Sequence, residues 1–167
     1  METIEGIPVN QIDENWSKIL VLTDKNFTGS LDFSKIPFLD KKEKEEVANM
    51  KKYGFDFSRE GDFNKDGIKD KALVGVYQDK LGQLGNFLLV ITERTSKKWC
   101  KDFLVKIPSE KLAETRFCLF SALSGRKHDL VQWSSCMGCD IYYILTWKNG
   151  QYTLEYSGDF LPNEGEE

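Results

Sequence analysis

The chain has 167 residues, of which 40% are hydrophobic, 13% aromatic and 30% charged, with a formal net charge of −4. That length suits one domain with a substantial core, and that apolar share excludes a disordered chain. The acidic balance, with no basic patch interleaved with aromatics, argues against a nucleic-acid partner. No apolar run reaches the roughly 20 residues that a membrane-spanning helix needs.

The first residues, Met1-Glu2-Thr3-Ile4-Glu5-Gly6, are acidic and lack the apolar centre of a signal peptide. Two readings of location stay open: a periplasmic or secreted protein whose signal peptide has been removed, or a cytoplasmic one. Ile12, Trp16, Ile19 and Leu20 fall at i, i+4, i+7 and i+8, one face of a helix. Ile19 to Leu22 also suits a short buried strand, so the expectation is a helix running into a strand. Asn26 to Pro37 reads as a loop. Asp40-Lys41-Lys42-Glu43 has the form of a capping box and opens a predicted helix to about Tyr53, stopped by Gly54.

The next stretch changes character. In Gly61-Asp62-Phe63-Asn64-Lys65-Asp66-Gly67-Ile68-Lys69-Asp70, oxygen-bearing side chains recur at alternate positions around one glycine. A hard cation of calcium's size takes six to eight oxygen ligands, and a tight loop supplies them when alternate residues point inward. Asp62, Asn64 and Asp66 stand at loop positions 1, 3 and 5. Gly67, at position 6, permits the sharp turn. Ile68, at position 7, offers its carbonyl while its side chain is expected to enter the core, and Asp70 stands at position 9. Position 12, where an EF-hand carries a bidentate Glu, is Leu73.

These residues resemble the calcium loop of FG-GAP and VCBS-type repeats, found in integrin-type β-propeller blades, and are similar to the dockerin loop. The likeness covers about ten residues. It implies Ca2+ held by the side chains of Asp62, Asn64, Asp66 and Asp70 and the carbonyl of Ile68, in a loop that leads into a strand. One such loop makes no propeller, so the likeness is to the single-loop form seen in small extracytoplasmic bacterial proteins.

After the loop the period becomes two. Ala72–Tyr77 and Phe87–Ile91 are apolar on both faces, as central strands are. Gly82 and Gly85 mark a turn between them. Phe103–Ile107 alternates until Pro108. Arg116–Ala122, Leu130–Ser134 and Asp140–Trp147 are further candidate strands, with a turn at Ser124–Lys127. Lys148-Asn149-Gly150-Gln151 centres on Asn-Gly, the preferred pair for a type I′ hairpin turn. A two-residue turn sets Lys148 opposite Gln151, Trp147 opposite Tyr152, Leu145 opposite Leu154 and Tyr143 opposite Tyr156.

Four cysteines remain: Cys100, Cys118, Cys136 and Cys139. They admit a local Cys136–Cys139 disulfide with a Cys100–Cys118 bridge, a redox-active CxxC, a zinc site aided by His128, or free thiols. The sequence therefore predicts an α+β protein, predominantly an antiparallel β meander of about seven strands with one or two N-terminal helices. Residues 1–157 form one domain, with the calcium loop at 62–70 and the meander at 71–157, and 158–167 is an acidic flexible tail. The expected function is a non-catalytic, Ca2+-stabilised extracytoplasmic interaction protein with a protein partner, such as an inhibitor or immunity-type partner of a secreted enzyme. The alternatives are a thiol–disulfide oxidoreductase using Cys136 and Cys139, and a calcium-dependent glycan or cell-surface binder.

Overall fold

The computed structural model describes residues 2–23, 56–94, 98–108, 121–126, 129–136 and 139–157. The predicted helix at 40–53, the loop at 26–37, Cys118, His128 and the tail at 158–167 lie outside these residues.

The described chain opens with a ribbon of two short strands, β1 (Thr3–Ile4) and β2 (Ile7–Pro8). Glu5 and Gly6, both at positive φ, turn between them. One helical turn, α1 (Val9–Ile12), follows, and β3 (Trp16–Val21) comes next. The helix predicted across Ile12 to Leu20 is thus a single turn ending at Ile12, and the chain is a strand from Trp16. A register shift between Trp16 and Lys18 is the reason. The extra residue of a β-bulge lets Trp16 and Ile19, three apart, bury together, which imitates a helical period.

After β4 (Ser58–Gly61), seven strands run in sequence: β5 (Asp70–Asp79), β6 (Leu84–Arg94), β7 (Lys98–Pro108), β8 (Ser121–Arg126), β9 (Asp129–Cys136), β10 (Cys139–Lys148) and β11 (Gln151–Ser157). The antiparallel meander is as expected, but β3 and β4 join it. One sheet has the order β3-β5-β6-β7, with β4 also paired to β5, and the other has the order β11-β10-β9-β8. Among the described residues, nine strands thus make these two sheets. Of the turn expected at Ser124–Lys127, Ser124, Gly125 and Arg126 are instead strand residues of β8, paired with Val131, Leu130 and Asp129. Gly85 is no turn residue: it pairs with Tyr77 inside β6. The β10–β11 register matches the predicted one pair for pair. Asn149 and Gly150 both have positive φ (54° and 78°), as a type I′ turn requires.

The central strands bury both faces. Ala72, Val74, Leu88 and Val90 pack with Phe57, Phe63 and Leu145, joined by the half-buried Phe103, Tyr152 and Leu154, between the two sheets. The alternate residues Leu73, Tyr77, Phe87, Leu89 and Ile91 pack on the other side under Ile4, Ile7, Ile12, Trp16 and Ile19. The N-terminal ribbon and α1 therefore serve as a third layer. Asp13, the C-cap of α1, fastens that layer through an ion pair with Lys106 of β7. Burial alone would raise the Asp13 carboxyl. The bonds from Lys106 and the Asn15 N–H, with the charges of Lys106 and Lys101, outweigh it and hold the group below the usual carboxylate range.

Two tests follow. At Gly75 an added Cβ would lie 2.4 Å from the Leu20 carbonyl oxygen and 2.4 Å from the Phe87 ring. Gly75→Ala should therefore destabilise the protein by about 2–3 kcal/mol in chemical denaturation, as overpacking does. A lowered folded pKa at Asp13 means stability that is present above the unfolded value, about 4, and lost as pH falls through the folded value. Asp13→Asn should flatten that acid limb of the stability–pH profile while leaving its other contributions in place.

Candidate metal centre

The acidic loop lies between β4 and β5, whose last pair is Gly61 with Asp70. Its side chains fold it. Asp62 takes the N–H of Asp66 on Oδ1 (3.0 Å) and that of Gly67 on Oδ2 (3.0 Å). Asn64 Oδ1 also accepts from the Asp66 N–H (3.1 Å), and Asp66 Oδ1 accepts from the Ile68 N–H (2.7 Å). Short Asp and Asn side chains close such turns by capturing backbone N–H groups a few residues on. Gly67 has φ +80°, the left-handed conformation expected of it. Phe63 turns inward and is buried in the core between the sheets, which pins the loop to the domain.

Asp70 is wholly buried. Its Oδ2 accepts the N–H of Phe63 (2.8 Å) and of Asn64 (3.3 Å), and its Oδ1 accepts the Thr92 hydroxyl (2.6 Å). Burial is the largest influence on its pKa and raises it. The three hydrogen bonds oppose that, the neighbouring Asp102 adds to it, and the outcome is upward. Asp102 Oδ2 stands 3.2 Å from Thr92 Oγ1, accepts from Asn64 Nδ2 (3.4 Å) and accepts from the Tyr152 hydroxyl (3.1 Å). Asn64 Nδ2 also donates to Asp66 Oδ2 (3.1 Å). Burial first, then the charges of Asp70 and Asp102, push the Tyr152 hydroxyl far above its ordinary range, so it stays a neutral donor.

The five residues expected to hold calcium thus belong to one folded loop, and Asn64 ties Asp66 to the network around Asp70. Among the described residues, no group of three or more His, Cys, Asp or Glu side chains is arranged to hold a metal ion. Asp62, Asp66 and Asp70 spend carboxylate oxygens on N–H and hydroxyl donors rather than on a common point. The donor chemistry does suit a hard cation: every group is an oxygen, and a carboxylate oxygen bonded to one donor keeps a second lone pair. The expectation that the Ile68 side chain enters the core is corrected, because it is 43% exposed. The turn carries it to the outside, while Phe63 supplies the anchor.

Three residues escaped the sequence reading: Thr92, Asp102 and Tyr152. Asp102 falls where the β6–β7 register shifts, with Val90 opposite Phe103 and Ile91 opposite Lys101. A bulge of this kind re-aims a side chain, so strict alternation along β7 misplaces it. Of the cysteines, Cys100 is a half-buried free thiol on β7, and Cys118, its expected partner, lies outside the described residues. Cys136 and Cys139 are register partners at the end of the β9–β10 hairpin. No protein family, curated protein or solved structure matches the chain.

Asp70→Asn separates the two demands on this position. An amide keeps the acceptor for the Phe63 and Asn64 N–H groups and gives Thr92 a donor, so Thr92 is free to donate to Asp102. It also removes a buried charge whose raised folded pKa makes ionisation unfavourable; that penalty grows as pH rises from the unfolded value and is complete above the folded one. Calcium-free Asp70→Asn should be at least as stable as wild type at neutral pH in denaturant titrations. Asp70→Ala, which leaves buried donors unpaired, should lose about 2–4 kcal/mol.

Proposed function

We propose that the chain is a non-catalytic, calcium-stabilised interaction protein of the periplasm or extracellular space. The observation that carries this reading is the loop from Asp62 to Asp70. It combines the oxygen-donor spacing of a calcium loop with a buried Asp70 at the start of β5, held by the loop and by Thr92 of β6. Asp62, Asn64, Asp66, the Ile68 carbonyl and Asp70 would supply the ligands. Calcium would supply the positive charge that the neutral donors around Asp70 do not. Loops of this kind in extracellular modules have dissociation constants on the order of 10⁻⁴–10⁻³ M, so such a site fills where calcium is millimolar. The partner on this reading is a protein, such as a secreted enzyme that this chain inhibits or neutralises.

The cysteine pair bears on the alternative. A thioredoxin-like CxxC draws its low thiol pKa from a helix N-terminus. Cys136 and Cys139 instead close β9 and open β10 as cross-strand register partners, a setting that favours a local disulfide over thiol–disulfide catalysis. An insulin-reduction assay should accordingly show no turnover.

Calcium titration of thermal stability tests the main reading. At a free calcium concentration 100 times the dissociation constant, binding to the folded state contributes about 2.7 kcal/mol. For a chain of this size that raises Tm by about 5–10 °C. Asp66→Ala should abolish the shift, and a chelator should reverse it. A wild-type Tm unmoved by 10 mM calcium would refute the calcium site.

A further inference from the structure

We infer that Asp102 and Tyr152 form a positioning relay that makes calcium affinity at the loop depend on contact with the second sheet. The inference rests on the calcium reading above and adds to it two residues from outside the loop. Asn64 is the only proposed side-chain ligand with both an acceptor and a donor end. Its Nδ2 gives one hydrogen to Asp66 Oδ2 and points the other at Asp102 Oδ2. With both hydrogens so used, the amide oxygen is turned to the loop, where it accepts from the Asp66 N–H.

Asp102 is held in turn. Thr92 has a single hydroxyl hydrogen and lies between two carboxylates, 2.6 Å from Asp70 Oδ1 and 3.2 Å from Asp102 Oδ2. The shorter contact goes to Asp70. Asp102 is left to Asn64 and to the Tyr152 hydroxyl of β11. Tyr152 belongs to the second sheet, and its ring packs on Phe103, the neighbour of Asp102, at 4.9 Å between centroids. The chain of contacts therefore runs from the second sheet through Tyr152 and Asp102 to the amide of a proposed ligand. Residues that orient a metal ligand without touching the metal typically account for 10–100-fold in affinity.

Calcium dissociation constants measured by isothermal titration calorimetry decide the matter. Asp102→Asn should weaken binding tenfold or more, and Tyr152→Phe, which keeps the ring packing, several-fold. Charge loss alone would also weaken Asp102→Asn, so the same change is made in an Asn64→Asp background. There Asp102 faces a carboxylate, and an asparagine at 102 restores an N–H donor between the two positions. The relay predicts that Asp102→Asn leaves affinity unchanged or improves it in that background. Equal weakening in both backgrounds overturns the relay. So does binding that Asp66→Ala abolishes while Asp102→Asn and Tyr152→Phe stay within twofold of wild type. No calcium binding by the wild type overturns the underlying calcium reading instead.

Discussion

A carboxylate withdrawn from water must be met by hydrogen-bond donors, and at Asp70 that requirement shapes the centre of the molecule. The three donors come from two places. Phe63 and Asn64 give backbone N–H groups from the loop, and Thr92 gives a hydroxyl from β6. For the loop to deliver those N–H groups it must curl back on itself, and the Asx turns of Asp62, Asn64 and Asp66 make it do so. The curl in turn delivers the Phe63 ring to the core. Gly61 gives that ring its room, because a Cβ there would stand 2.8 Å from it. One buried acid thus fixes the loop, the start of β5 and a core anchor together.

The rest of the fold follows from β5 and β6 being apolar on both sides. A sheet whose central strands bury both faces needs two covers. The second sheet covers one face through Leu145, Leu154 and Tyr152. The N-terminal ribbon and α1 cover the other, with Trp16 laid against Tyr77 and Phe87 at centroid distances of 5.6 and 4.9 Å. Partly buried charge pairs fasten the cover at its rim: Glu5 with Lys71 and Asp13 with Lys106. They stand at the edges of a layer whose main contribution is the burial of Ile4, Ile7 and Ile12.

Where period and turn chemistry agree, the sequence was legible. The Asn-Gly hairpin is readable to the residue because positive φ at two consecutive positions leaves few alternatives. The loop is readable because its residues solve their hydrogen bonding among themselves within ten positions. Bulges were the illegible part. At Trp16–Lys18 a bulge made a strand look helical, and in β7 it hid Asp102 from a reading based on alternation. Nothing local marks either, since the extra residue is dictated by the partner strand. Thr92 and Tyr152 were illegible for a related reason. They lie 22 and 82 positions from Asp70 in the chain, and only the pairing of sheets brings them to one network.

The acids differ in what answers their charge. Asp13, Glu5 and Glu60 each meet a lysine. Asp70 meets two amides and a hydroxyl. Neutral donors favour the ionised form but add no charge, and here burial outweighs them. This explains why an amide suits position 64. An aspartate would add a negative charge beside Asp66 and Asp102 and would remove the Nδ2 hydrogens that both of them accept. With asparagine, one side chain offers an oxygen to the loop and two donors to its acidic neighbours. The proposed calcium ion would then enter a loop whose charge is already arranged, with Asp70 fixed from inside the core and Asn64 from the side of the second sheet.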